Sequence, residues 1–188
     1  MNHLDPGSSR LPARRRRRPG QRGFTLLDVG LGVLSLALAA ALAITSSARR
    51  QQAARCVQLS EEITAFAKNF AQVTSDRQTR PPSSLGDNSI PAGMESVLRD
   101  TRWTAETPVG GHYRWNEIYP EPKDKEKSIP ANSVVGSIMV TAFSPDTPLA
   151  LTPDDLHRID VIIDDGNLAT GDFRAGFNGW PMLYVRVK

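Results

Sequence analysis

Apolar residues follow two different rhythms over the first 80 positions. From residue 24 to residue 44 they form a nearly unbroken run, and Asp28 carries the only charge among those 21 positions. A helix rising ~1.5 Å per residue covers ~31 Å with such a run, which matches the hydrocarbon thickness of a bilayer. Residues 45–54 are then polar, with Arg49 and Arg50 just past the run. Beyond them Cys56, Leu59, Ile63, Phe66, Phe70 and Val73 follow at spacings of 3, 4, 3, 4 and 3. That spacing draws an apolar stripe along one face of a helix. Arg55, Gln58, Glu61, Glu62, Lys68 and Asn69 are expected on the face away from it. No proline lies between Gly20 and Arg80, and no glycine between Val33 and Leu85. Proline costs about 3 kcal/mol inside a helix, so the gap suits one continuous helix from residue 24 to about residue 75, ~78 Å long. A stripe of two to three heptads is short for a coiled coil; the second half of the helix is expected to pack on a domain.

Arg80-Pro81-Pro82 ends that helix, because proline lacks a donor and restricts the residue before it. The pattern beyond it changes to turns alternating with short strand-like runs. A short helix is expected over residues 95–99, strands over 112–118, 134–143 and 182–187, and a charged loop over 121–127. Thr152-Pro153-Asp154-Asp155 reads as a helix start, with threonine as cap, proline at the first position and acids in the first turn. That helix presents Leu156, Ile159 and Ile163 and ends near Asp164. The fold class is therefore α+β: a long amino-terminal helix packed on a small antiparallel sheet.

The head of the apolar run carries a motif. Five arginines occupy positions 14–18, and Arg22-Gly23-Phe24-Thr25-Leu26-Leu27-Asp28 follows. A carboxylate inside a span costs roughly 2.5–3.5 kcal/mol on insertion scales and usually marks function or a partner. Gly23-Phe24-Thr25-Leu26-Leu27-Asp28 resembles the processing site of type IV pilins and type II secretion pseudopilins. In that family a prepilin peptidase cuts after the glycine and methylates the new amino-terminal phenylalanine, here Phe24. The fifth residue of the mature chain, usually Glu and here Asp28, is thought to pair with the amino group of a neighbouring subunit. The resemblance implies a pilin-like fold and a division into four parts. Residues 1–23 are a cleaved basic cytoplasmic leader, 24–44 a transmembrane half-helix, 45–80 a periplasmic amphipathic half with its linker, and 81–188 a β-rich periplasmic domain. It also implies partners: the prepilin peptidase, other pilin or pseudopilin subunits, an inner-membrane assembly platform and the membrane itself. Weaker likenesses to pseudopilin-type proteins lie in Gly93-Met94, Trp103, Thr107-Pro108 with Gly110-Gly111, Tyr113 and Trp115, and Asp164-Asp165-Gly166-Asn167 with Thr170-Gly171.

Other readings share parts of this stretch. An arginine run alone is also a nucleic-acid or nuclear-targeting patch, but here a membrane-length run follows six residues later. A secretory signal peptide has the same order of basic and apolar regions, and Ala41-Leu42-Ala43 or Ser46-Ser47-Ala48 offers small-x-small cleavage. The run exceeds the 7–15 residues of an ordinary signal core, and an acid inside it is unexpected. A twin-arginine signal lacks an apolar core directly after its paired arginines. The flanking arginines place the amino terminus in the cytoplasm and the rest of the chain outside.

Charge changes the picture once. Seven arginines against Asp5 give residues 1–23 a charge of +6, so the other 165 residues carry −3 of the chain's +3. The basic character belongs to the leader, and no nucleic-acid surface is expected in the mature protein. The single Cys56 excludes an internal disulfide and a cysteine-based zinc site; it is expected as a small buried apolar residue.

Candidate chemistry is sparse. Asp160, Asp164, Asp165, Asn167 and Asp172 offer oxygen ligands of the kind calcium takes, and the major pseudopilins that the motif resembles bind calcium in a carboxy-terminal loop. The spacing does not follow the helix-loop-helix calcium template, and Asp-Gly-Asn is also the composition of a turn with positive φ at glycine. His3, His112 and His157 have no metal-ligand spacing, and no Gly-x-Ser-x-Gly or phosphate-cradling glycine loop occurs. Trp103, Trp115 and Trp180 are expected as core or sheet-face aromatics. The sequence thus points to a structural subunit without catalytic residues. A tip module recognising a surface, DNA or an exoprotein, and a soluble protein released by signal peptidase, are the alternatives.

Overall fold

A computed structural model of the chain describes residues 25–118, 129 and 131–187. Helix α1 runs unbroken over Leu26–Arg77, as the gap in glycine and proline requires. It ends where Gln78 turns into the left-handed region, at φ 51°. The Gln78 amide donates to the Ser75 carbonyl at 2.8 Å, satisfying one of the acceptors a helix end leaves open.

By internal contacts the chain divides into residues 1–44 and 45–188. The described part of the first unit is the opening of α1. Its large apolar side chains are exposed, from Leu26 at 94% to Val29 at 55%. This stretch is long and apolar enough to cross a membrane.

In the second unit α1 supplies one wall of the core. Cys56, Leu59, Ile63, Phe66, Phe70 and Val73, the six stripe positions, are all buried. They face an antiparallel sheet of four strands in the order β1-β2-β4-β3, with β1 His112–Glu117, β2 Val134–Thr141, β3 Phe173–Ala175 and β4 Pro181–Arg186. β1 pairs with β2 from His112↔Thr141 to Glu117↔Gly136, and β2 pairs with β4 across an irregularity between Val134 and Gly136. Three of the strands lie where the alternation of the sequence puts them. β3, at three residues, is too short to show a period, and was not expected.

Aromatic rings join helix to sheet. Phe70 stacks on Trp115 at 4.0 Å between centroids, and Phe66 meets Tyr113 and Trp103 edge-on at 4.9 and 5.2 Å. Trp115 also donates from Nε1 to the Pro81 carbonyl at 2.9 Å, tying β1 to the segment after α1. Gly136 makes room for that indole, since a Cβ there would collide with the ring. Trp103 and Trp115 are buried, and Trp180 lies edge-on against Phe143 on the surface side.

Two small helices complete the unit: α2, Glu95–Leu98, and α3, Pro153–Ile163. α3 begins as its sequence dictates, with Thr152 and Asp155 closing a reciprocal capping box. Leu156 and Ile159 are buried beneath it, and Ile163 is half-buried. The charged loop expected over 121–127 lies outside the described residues.

Two positions depart from the expected polar face, Glu62 and Asn69, both half-buried. Glu62 is half-buried rather than solvated: it accepts from the Tyr113 hydroxyl at 2.7 Å and pairs with Arg102 at 3.0 Å. A helix carries its polar face around a wide arc, and the domain covers more of that arc than the stripe alone indicates.

Candidate functional site

Two places concentrate the chemistry. The first is the amino-terminal motif. Gly23 and Phe24 lie outside the described residues, and Asp28 is the third residue of α1. The described turn around it is helical from the start, with the Val29 amide donating to the Thr25 carbonyl at 3.2 Å.

The second is the loop leaving α3. Asp160, Asp164 and Asp165 come together, each offering a carboxylate oxygen within 4.8 Å of the other two. Two of the three also build the loop. Asp164 Oδ2 accepts from the Phe173 amide at 3.0 Å and from the Asp172 amide, fastening the loop to β3. Asp165 accepts from the Asn167 amide at 2.8 Å and from the Thr170 hydroxyl at 2.7 Å. The Thr170 hydroxyl, then the Asn167 amide, hold its carboxyl below the ordinary carboxylate range. Gly166 and Gly171 adopt φ of +77° and +70°, and a Cβ on Gly171 would strike the Asp164 carboxylate. The glycines in this motif are therefore positions that only glycine fills without strain.

Asp160 differs from both. It is fully buried, and neither carboxylate oxygen has a hydrogen-bond partner among the described residues. Burial raises its carboxyl above the ordinary range, the charges of Asp165 and Asp164 add to the rise, and the Gly166 amide and His157 oppose it. Burial of a carboxylate with little to offset it is costly, and that cost favours the neutral carboxyl or a cation beside it. The group fits calcium chemistry as far as it goes: hard oxygen donors, three of the roughly six to eight that the ion takes.

The other two expected ligands are engaged elsewhere. Asp172 accepts from Arg186 at 2.6 Å, and the Asn167 side-chain oxygen accepts from the Ala169 amide at 3.2 Å. Among the described residues, no other group of three histidine, cysteine or acidic side chains gathers in this way.

A further cluster was not legible in the sequence. Gln52 donates to the Ala150 carbonyl at 2.7 Å and to Asp155 at 3.1 Å, and the Cys56 thiol donates to Asp155 at 3.6 Å. Asp155 stands 99 positions from Cys56, and no local spacing links them. Burial pushes the Cys56 thiol up to about 11, with the Asp155 charge adding to the effect. Burial works against the Asp155 carboxylate in turn. The Thr152 amide and hydroxyl, Gln52 and Cys56 outweigh it and hold that carboxyl below its ordinary value. The cluster fastens the start of α3 to α1, and its thiol is a poor nucleophile. No protein-family model, curated protein or solved structure matches this chain.

Proposed function

We propose that this chain is a pilin-like structural subunit, processed by a prepilin peptidase and assembled into a type II secretion pseudopilus or a type IV pilus. In this reading the peptidase cuts between Gly23 and Phe24 and methylates Phe24. The leader stays in the cytoplasm, residues 24–44 cross the inner membrane and the remainder is periplasmic. The Asp28 carboxylate meets the new amino terminus of a neighbouring subunit, and each charge relieves the other's desolvation cost in lipid. The inner-membrane platform then lifts the subunit into the filament, whose interior is formed by Leu26, Leu27, Leu31, Val33, Leu34, Leu36 and Leu38. The protein's activity is polymerisation, not catalysis.

The observation that carries this reading is one continuous helix serving two solvents. Its opening exposes a run of membrane length headed by Gly23-Phe24-Thr25-Leu26-Leu27-Asp28, and its later turns bury a six-residue stripe under a small antiparallel sheet. Mass spectrometry of the mature amino terminus tests it. A chain beginning at methylated Phe24 is the expected result. An intact leader, or an end near Ile44 or Arg49, overturns it.

A further inference from the structure

The face of the sheet turned away from α1 does not have the make-up of a solvated one. An antiparallel sheet packed on one side ordinarily carries polar residues on the other. Here Arg114, Met139, Met182 and Arg174 stand opposite one another in one row across the four strands, each half-exposed. Arg174 lies over the Tyr184 ring at 5.5 Å. At the other end of the row Arg114 lies over Phe143, which is 61% exposed and meets Trp180 edge-on. Methionine, aromatic residues and arginine are the types enriched where proteins meet, and lysine and acids are depleted there. No outward position of the four strands holds a lysine or a carboxylate. Two acids stand at the margin: Asp172 takes Arg186 at 2.6 Å, and Asp87 reaches Arg114 only at 3.9 Å. Arg174 forms no ion pair with a described residue; its Nε donates to the Gly171 carbonyl at 3.1 Å.

Such a face calls for an apolar partner with acids at its margin. Two copies of the face laid on each other would set arginine against arginine, which like charge opposes. The chain carries the complement itself. Val161 and Ile162 on α3 are the one adjacent pair of large apolar side chains exposed among the described residues past the apolar run. Asp164 and Asp165, both exposed, follow within a turn, and their bonds to the loop leave the negative charge in place. Arg158, one turn earlier, is the exposed cation on that helix. From this we infer that the outer sheet face of one copy docks on the Val161–Ile162 end of α3 in a second copy. The contact is heterologous: each chain offers both halves, so a pair still has one half free at either end and the association extends. It carries the proposed polymerisation into residues 45–188 and uses nothing of the amino-terminal motif. An uncut leader would overturn that proposal and leave this contact standing.

The test follows the full chain in detergent micelles by sedimentation velocity over a concentration series. One variant reverses the sheet face, Arg114→Glu with Arg174→Glu. Another reverses the α3 end, Val161→Lys with Ile162→Lys, at exposed positions where substitution is mild for folding. The wild type is expected to grow past the dimer as its concentration rises, and each variant to associate roughly tenfold or more weakly. Mixed together, the two variants are expected to regain the association that neither shows alone, because each supplies the charge the other lacks. Circular dichroism melts check that both keep the wild-type fold; if the sheet variant melts early, the α3 variant carries the test. A wild type that stays monomeric at every concentration overturns the inference. Association kept by both variants also overturns it, since it then belongs to the apolar run they share. So does loss in the sheet variant alone, which would make the partner of that face something other than α3.

Discussion

At the scale of single residues, the buried acids and the thiol set the chemistry. Asp160 has a carboxyl pKa raised above its unfolded value, so it favours folding while protonated. Its contribution is full below the unfolded pKa of about 3.9 and is lost as pH rises through the raised native value. Asp160→Asn removes the titration and keeps the shape. In chelator-treated buffer we expect the variant to melt higher than the wild type at pH 7.5 and the gap to close toward pH 4. A gap that stays constant with pH would show that the carboxylate is satisfied by a partner. Calcium is expected to raise the wild type's melting temperature at pH 7.5 and leave the variant's unchanged. Cys56, with its thiol pushed up to about 11, should resist iodoacetamide at pH 8 in the native protein and react fully in denaturant. Intact-mass measurement reads both states, and rapid native labelling would contradict its burial.

Among the elements, α1 and β1 share most of the large aromatic surface. Phe70 stacks on Trp115 and tilts against Trp103 at 5.3 Å. Phe70→Ala removes both contacts and leaves a cavity under the sheet; a loss of about 3–5 kcal/mol is expected from denaturant melts. Leaving Arg55 or Lys68 for comparison, an exposed α1 position changed to alanine should stay within about 0.5 kcal/mol. If Phe70→Ala proved equally mild, the helix would not be a wall of this core. The junction of α3 with α1 responds to pH in the opposite sense from Asp160. Asp155 has a lowered carboxyl pKa, so its stabilisation is present above the unfolded value and lost as pH falls through the native one. Much of this was readable along the chain, because helical and strand periods are local. The stripe from Cys56 to Val73, the cap at Thr152 and the alternation of β1 each follow from a few neighbouring residues. β3 and the Glu62–Tyr113–Arg102 network do not, since a three-residue strand has no period and Tyr113 lies 51 positions from Glu62.

For the whole molecule, the proposed role depends on Asp28 meeting another chain. Asp28→Ala is expected to leave insertion and cleavage intact and reduce incorporation into filaments, read as the sheared fraction in an assembly assay. Undiminished incorporation would remove Asp28 from the proposed contact. The sequence alone determined the two rhythms of α1, the place where it must stop and the α+β class, because each is written in residues close together in the chain. Only the tertiary structure decided which acids converge and which are diverted. Asp160 was buried beside Asp164 and Asp165, Asp172 was drawn to Arg186, and Asp155 was brought to Cys56. Those outcomes depend on packing between distant segments, where burial removes water as a partner and leaves each charge with whatever the fold places beside it.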